Sequence, residues 1–195
     1  MDTKLKESLE HYTEAAEQAS AAVIESYSTS FGMATKLLSE RIRTDIRNIY
    51  ALVRVADEIV DGAAAGNGAT KVQIRKQLDE LEGEVYAGMK LGFSSNLVVH
   101  AFALTARDVA FGSEYTAPFF ESMRMDLWKT VHTKASFDKY VYGSAEVVGL
   151  MCLQAFLAEG TYTAKERERF VTGARALGAA FQKVNFLRDL SADVD

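Results

Sequence analysis

Pro118 is the only proline among 195 residues. Alternating β-branched runs are nearly absent and helix formers dominate, so the chain reads as all-α. Its length fits one domain, residues 1–195, with a sizeable core. The periodicity predicts a first helix over about Thr3–Glu25, ending near the cluster Ser26 to Gly32. A second runs from a Ser39 cap to Asp61. It stops at Gly62, where an Ala/Gly-rich flexible linker continues to Ala69. Thr70 and Gln73 form a capping box for a third helix, to about Met89. A fourth covers about Ser94–Phe111. A fifth holds Pro118 in its first turn and reaches about Thr130. Ser136 caps a sixth, to about Ala158. A second capping box, Thr163 to Glu166, opens the last helix.

Two acidic pairs with four-residue spacing stand out, Asp57/Asp61 after Arg54 and Asp189/Asp193 after Arg188. Residues four apart share a helix face, so each pair can present two carboxylates to a common point. On the second helix Ile42, Ile46, Ile49, Val53, Ala56 and Val60 form an apolar stripe. Beside it runs a stripe of Arg47, Tyr50, Arg54, Asp57 and Asp61. The last helix repeats the design, with Leu177, Phe181 and Val184 apolar and Gly178, Gln182, Asn185, Asp189 and Asp193 on the adjacent face. Polar groups beside a core stripe cost desolvation energy unless they are paired or line a wet cavity. Two such faces opposed across a bundle would make a cage of hard oxygen ligands suited to Mg²⁺, with arginines suited to a polyphosphate. The bland alternative is an exposed local ion pair such as Arg54–Asp57.

Charge bears on the partner. The net charge is −5 with pI about 5.3, and no basic stripe is visible, which disfavours nucleic acid. An acidic protein binding an anion needs a local remedy, and divalent cations supply one. The lone Cys152 excludes an internal disulfide and reads as a small buried hydrophobe. The N-terminal stretch has no apolar core of a signal peptide, and no apolar run approaches the roughly 20 residues that span a bilayer. A soluble cytoplasmic protein is expected, with peripheral contact to a membrane if its substrate is greasy.

An allylic diphosphate would ionise in a dry cavity with aromatic faces to stabilise the cation. Tyr27, Phe31, Tyr50, Tyr140 and Tyr142 are candidates for its wall, or for plain core packing. Gly143 and Gly149 either admit a long ligand or sit at helix–helix contacts. Glu146 is either a buried polar contact or a specificity residue. His11, His100 and His132 show no ligand spacing and read as structural or exposed.

Three blocks carry a resemblance to a known family. They are Tyr27–Phe31 with Asp45–Asp61, then Met123–Leu127 with Tyr140–Gly149, then Ala176–Asp193. The chain resembles the squalene/phytoene synthases, the head-to-head prenyl synthases, most closely in the wording of the bacterial phytoene enzymes. The resemblance implies an all-α isoprenoid-synthase fold around a central cavity. It implies Mg²⁺-dependent condensation of two prenyl diphosphates, geranylgeranyl diphosphate giving phytoene through a cyclopropyl intermediate in carotenoid biosynthesis. Farnesyl diphosphate giving dehydrosqualene or squalene is the nearest alternative, and a non-catalytic helical scaffold of the same fold is another. Carried over by position, Asp57, Asp61, Asp189 and Asp193 hold the metal, with Asn185 an additional ligand. Arg54 and Arg188 grip diphosphate. Tyr27, Ser28, Thr29, Ser30, Phe31, Tyr50 and Gln182 line the diphosphate end, and Tyr140 lies near the reacting carbons. Glu58, Thr29, Ser122 and Glu146 depart from the family wording. The chain stops just after the second motif, where the family continues, so a domain without the usual C-terminal helices is expected.

Overall fold

A computed structural model describes residues 2–129 and 131–192; the side chains of residues 29, 30 and 186–192 lie outside that description. Among the described residues there are helices and no strands, as the composition predicts. Packing divides the chain into two compact units, Met1–Ala110 and Phe111–Asp195.

The first unit is built from α1 (Thr3–Tyr27), α2 (Thr29–Thr35), α3 (Glu40–Val60), α4 (Ala63–Gly66), α5 (Lys71–Leu91) and α6 (Leu97–Asp108). Helix α3 is its centre, packed against α1, α5 and α6. The predicted stripe explains this: Ile46, Ile49, Ala56 and Val60 are buried, joined by Leu52, while Ile42 and Val53 are partly covered. Each fully buried Ile, Leu or Val contributes roughly 1.5–3 kcal/mol. The predicted capping box of α5 forms, with Gln73 N–H donating to Thr70 Oγ1 at 3.3 Å and Thr70 N–H to Gln73 Oε1 at 2.8 Å.

Some boundaries differ from the sequence reading. The Ser26–Gly32 stretch holds a break of one residue, Ser28, which caps the short helix α2 through its hydroxyl. Ser39 occupies the N-cap of α3 but its side chain makes no capping bond. The Ala-rich segment after Gly62 forms the single turn α4, in line with the helix propensity of alanine. Helix α6 starts later than Ser94, because Asn96 caps it with bonds to the Val98 and Val99 N–H groups.

The second unit comprises α7 (Ser113–Asp126), α8 (Lys134–Val141), a π-helical turn (Tyr142–Glu146), α9 (Val147–Leu157) and α10 (Ala164–Ala192). Helix α7 opens at Ser113, so Pro118 lies inside the helix and not in its first turn. Thr133, not Ser136, caps α8 by accepting from the Ser136 N–H. The run Lys134–Leu157 is 24 residues of continuous helix, long and apolar enough by composition to cross a bilayer, although Asp138, Lys139 and Glu146 interrupt its apolar sequence. Its Tyr140, Val141, Val147, Leu150, Met151, Ala155 and Leu157 are buried within the protein, as in a core helix.

The glycines of this run are helix–helix contacts. A Cβ on Gly149 would stand 2.9 Å from the Ala174 carbonyl, and one on Gly178 would stand 2.6 Å from the Ala145 carbonyl. A Cβ on Gly143 would overlap the Pro118 carbonyl and Ser122 Oγ. The small face of α10 therefore packs on the π turn and α9. Leu177, Phe181 and Val184, expected as a buried stripe, are instead 60–64% exposed.

Replacing Gly143 with alanine should destabilise the protein by about 2–3 kcal/mol in urea unfolding, because a backbone carbonyl must move. Gly173→Ala meets open space on α10 and should stabilise by about 0.5–1 kcal/mol. Equal effects at the two positions would contradict the packing described.

Candidate active site

The C-terminal end of α3 concentrates negative charge. Asp57 and Glu58 lie in its last turn and Asp61 is the capping residue, its N–H bonded to the Asp57 carbonyl at 2.8 Å. No basic residue lies in that turn. A helix C-terminus already carries partial negative charge, so three carboxylates there oppose the helix dipole. Burial pushes the Asp57 carboxyl up to about 6. Arg54 pulls against that shift, and the charges of Asp61 and Glu58 reinforce it. Burial also raises the Asp61 carboxyl.

Arg54 sits one turn back and organises the rest. Its guanidinium lies 4.2 Å from the centre of the Tyr27 ring and pairs with Glu58 through Nη2. Its Nε is buried and finds no hydrogen-bond partner among the described residues. Arg54 thus pairs with Glu58 and not with Asp57, as a simple surface pair would have it. The other Glu58 oxygen accepts the Ala63 N–H at 2.9 Å, tying α3 to α4. The Phe31 and Tyr50 rings lie 5.4 Å apart. Burial raises the Tyr50 phenol above its ordinary range, against the pull of the Arg54 charge.

The chain thus gathers Tyr27, Ser28, Phe31, Tyr50, Arg54, Asp57 and Asp61 around the ends of α1 and α3. Thr29 and Ser30 lie on α2, with side chains outside the described residues. Among the described residues no group of three or more His, Cys, Asp or Glu is placed to hold a metal. The chemistry of the donors still fits a hard divalent cation, because crowded carboxylate oxygens with a raised Asp57 gain most from one.

A second cluster belongs to the second unit. The Tyr140 hydroxyl donates to Asp126 Oδ2 at 3.1 Å, and Gln182 Nε2 approaches that hydroxyl at 3.5 Å. The His132 ring lies 5.4 Å from the Tyr140 ring, and Ser122 Oγ donates to the Tyr140 carbonyl at 3.2 Å. Asn185 is exposed on α10. Arg188 and Asp189 lie on the same helix with their side chains outside the described residues, and Asp193 lies outside them altogether. Glu146 resolves as a polar contact, its Oε2 held by Arg175 Nε at 2.6 Å. Tyr142 packs under that same guanidinium.

The sequence reading assigned no site role to two residues that act here. Glu58 orients Arg54, and its signal was the four-residue spacing between them. Asp126 holds the Tyr140 hydroxyl, and its signal was a lone acid between Met125 and Leu127. The remaining polar candidates are structural. His100 is fully buried, with Nε2 3.1 Å from Thr13 Oγ1, and burial lowers its pKa. Burial pushes the Cys152 thiol up to about 12, which leaves it protonated and unreactive.

Comparison with solved structures places this all-helical fold among the isoprenoid synthases. The chain superposes on a dehydrosqualene synthase with a TM-score of 0.72 at 22% identity, covering 90% of this chain and 57% of that one. The family model for squalene/phytoene synthase matches residues 24–195, and the chain belongs to that family. Among curated relatives, phytoene synthase 2 (chloroplastic) of Oryza sativa subsp. japonica is 30% identical over 173 residues, 86% of this chain and 40% of the relative. The 15-cis-phytoene synthase of Pantoea ananas is 28% identical over 173 residues, 85% of this chain and 53% of the relative. The chain therefore spans about half the length of such relatives, or less.

The raised Asp57 has a consequence for stability. Its folded value of about 6 lies above the ordinary 3.8, so the folded state favours the protonated form. That preference is fully present below the ordinary value and is lost as pH rises through about 6. At neutral pH the ionised group costs about 1–2 kcal/mol, allowing for its partial access to solvent. Asp57→Asn should therefore raise the Tm at pH 7.5, in metal-free buffer, and leave it unchanged at pH 4. A Tm gain independent of pH would contradict this origin.

Proposed function

We propose that this chain carries the chemistry of a phytoene-type prenyltransferase: Mg²⁺-dependent head-to-head condensation of two geranylgeranyl diphosphates to phytoene through a cyclopropyl diphosphate. The observation that carries the reading is the crowd of carboxylates ending α3 beside a stacked, half-satisfied Arg54. The names of the curated relatives support the same substrate class. Magnesium held by Asp57 and Asp61 would supply the positive charge that lets diphosphate leave; in the same reading Asn185, Asp189 and Asp193 of the second motif are assigned as metal ligands.

The protein's own groups do the remaining work. Arg54 offers its unpaired Nε–H to a diphosphate oxygen, while Tyr27 and Glu58 fix the guanidinium plane. Arg188 is assigned the same grip from the second motif. Ser28, Thr29 and Ser30 add hydroxyl donors where α1 gives way to α2. Phe31 and Tyr50 present ring faces beside them and keep water from the breaking C–O bond. Ionisation leaves an allylic cation, for which an aromatic face is a favourable neighbour. Tyr140 is assigned that role. Asp126 and Gln182 hold its hydroxyl and so set the angle of the ring. The protein would act in the cytoplasm, meeting its greasy substrate and product at a membrane surface.

Incubation with geranylgeranyl diphosphate and Mg²⁺ should yield a C40 hydrocarbon. Asp57→Asn should lower the rate by at least about 100-fold, and Arg54→Lys by about 10-fold, since lysine lacks the planar fork that stacks on Tyr27. A C30 product from farnesyl diphosphate alone would reassign the chain length. Absence of any product with either substrate, and of Mg²⁺-dependent diphosphate binding, would favour the non-catalytic scaffold.

A further inference from the structure

Helix α3 carries four arginines, and three of them are committed. Arg43 donates to the Thr35, Lys36 and Leu38 carbonyls at 3.2, 3.2 and 2.9 Å. Arg41 Nη1 donates to Asp45 Oδ2 at 3.1 Å, and Arg54 pairs with Glu58. Arg47 is the exception. Its Nε is buried and finds no hydrogen-bond partner among the described residues. Its ionic contact there is Nη2 to Glu25 Oε1 at 3.8 Å, too long for a hydrogen bond. The Glu25 side chain is itself 65% exposed, so this pair is loose and screened by salt.

The Arg47 guanidinium is nonetheless reachable. Its side chain keeps 21% of its surface, and Nε is the nitrogen enclosed without a partner. The Nη groups are left with N–H donors to offer. Arg47 precedes Arg54 by seven residues, which turns it by only about 20° around the helix and sets it about 10.5 Å back along the axis. Tyr50 lies between them on the same polar stripe. The neighbours are shared as well. Tyr27 of α1 stacks on Arg54, and Glu25, two residues earlier, faces Arg47. Phe31 of α2 lies against Tyr50.

A mostly covered cation whose N–H groups are unmet is a poor purely structural solution. Its planar fork matches the oxygens of a phosphate group. Head-to-head condensation brings two diphosphates to one site. Arg54 and the carboxylates that end α3 serve one of them. About 15 Å of helix axis separates Arg47 from Asp57, more than one diphosphate group spans. Arg47 therefore fits the other.

We propose that Arg47 is a substrate-binding residue that holds the diphosphate of the second prenyl substrate through its Nη groups, without a metal. Glu25 is the counter-ion that Arg47 leaves when the diphosphate arrives. The assignment of the anion to a prenyl substrate rests on the prenyltransferase reading above.

The test is calorimetric titration of the purified protein with inorganic diphosphate in EDTA, at constant ionic strength, which leaves out the metal-dependent site. One saturable site is expected. Arg47→Gln should weaken it at least tenfold, and Arg47→Lys by less, because lysine keeps the charge without the fork. Glu25→Gln should tighten it about two- to threefold by removing the competing carboxylate, a gain that lost structure does not produce. Arg75→Gln takes the same charge as Arg47→Gln from an exposed pair on α5 and should change nothing. With geranylgeranyl diphosphate and Mg²⁺, Arg47→Gln should raise KM at least fivefold and leave kcat within about twofold. No saturable metal-free binding, unchanged affinity in Arg47→Gln, weakening by Glu25→Gln, or equal weakening by Arg75→Gln would each overturn the proposal. Metal-free binding that behaves as expected, with no product formed, would overturn the prenyltransferase reading instead and leave the anion site at Arg47 standing.

Discussion

Three carboxylates end α3 against the sign of the helix dipole, and the arrangement around them follows from that conflict. A helix terminus selected for stability alone would carry lysine or arginine there. This one carries Asp57, Glu58 and Asp61, with Arg54 a turn earlier as the nearest relief. Glu58 is neutralised by Arg54, which leaves Asp57 and Asp61 as the uncompensated pair. Local rules broken without a local compensation mark functional sites more often than structural ones. Here the missing compensation is positive charge, and a bound divalent cation is its simplest source.

Arg54 links that electrostatic conflict to the packing of the unit. It stacks on Tyr27 at the end of α1 and pairs with Glu58 near the end of α3. Glu58 in turn caps the entry to α4. Three segments that are separate in sequence are thus joined by one planar cation. Its Nε stays buried and unmatched, a cost that stability alone does not explain. Charge repulsion at one end of α3 and a half-satisfied arginine beside it are the same design, a site whose ligand completes its hydrogen bonds and its charge balance. In the second unit the chain achieves rigidity differently. Gly143, Gly149 and Gly178 bring backbones into direct contact, and that packing positions the π turn next to Tyr140.

Much of this was legible in the amino-acid order. The period of α3 identified both its buried stripe and the polar stripe beside it, because one helix face packs and its neighbour follows at fixed angle. The capping boxes at Thr70 and Thr163 were legible because they are local chemistry. Less local features were not. Helix α10 packs through its small face, at Gly178 against the Ala145 carbonyl, and leaves Leu177, Phe181 and Val184 exposed. Pro118 sits inside α7, because Ser113 to Ala117 extend the helix ahead of it. The pairing of Glu58 with Arg54 and the hold of Asp126 on Tyr140 depend on which residues meet in space, and spacing alone does not select among those.

The central claim is that Asp57 and Asp61 together hold a divalent cation engaged with diphosphate. Its most direct test is a crystal structure with Mn²⁺ and a non-hydrolysable prenyl thiodiphosphate, read by anomalous scattering. The account predicts a manganese peak bonded to carboxylate oxygens of both residues, with Arg54 Nε within hydrogen-bonding distance of the diphosphate. Manganese bound elsewhere, with Asp57 and Asp61 facing only water, would contradict it.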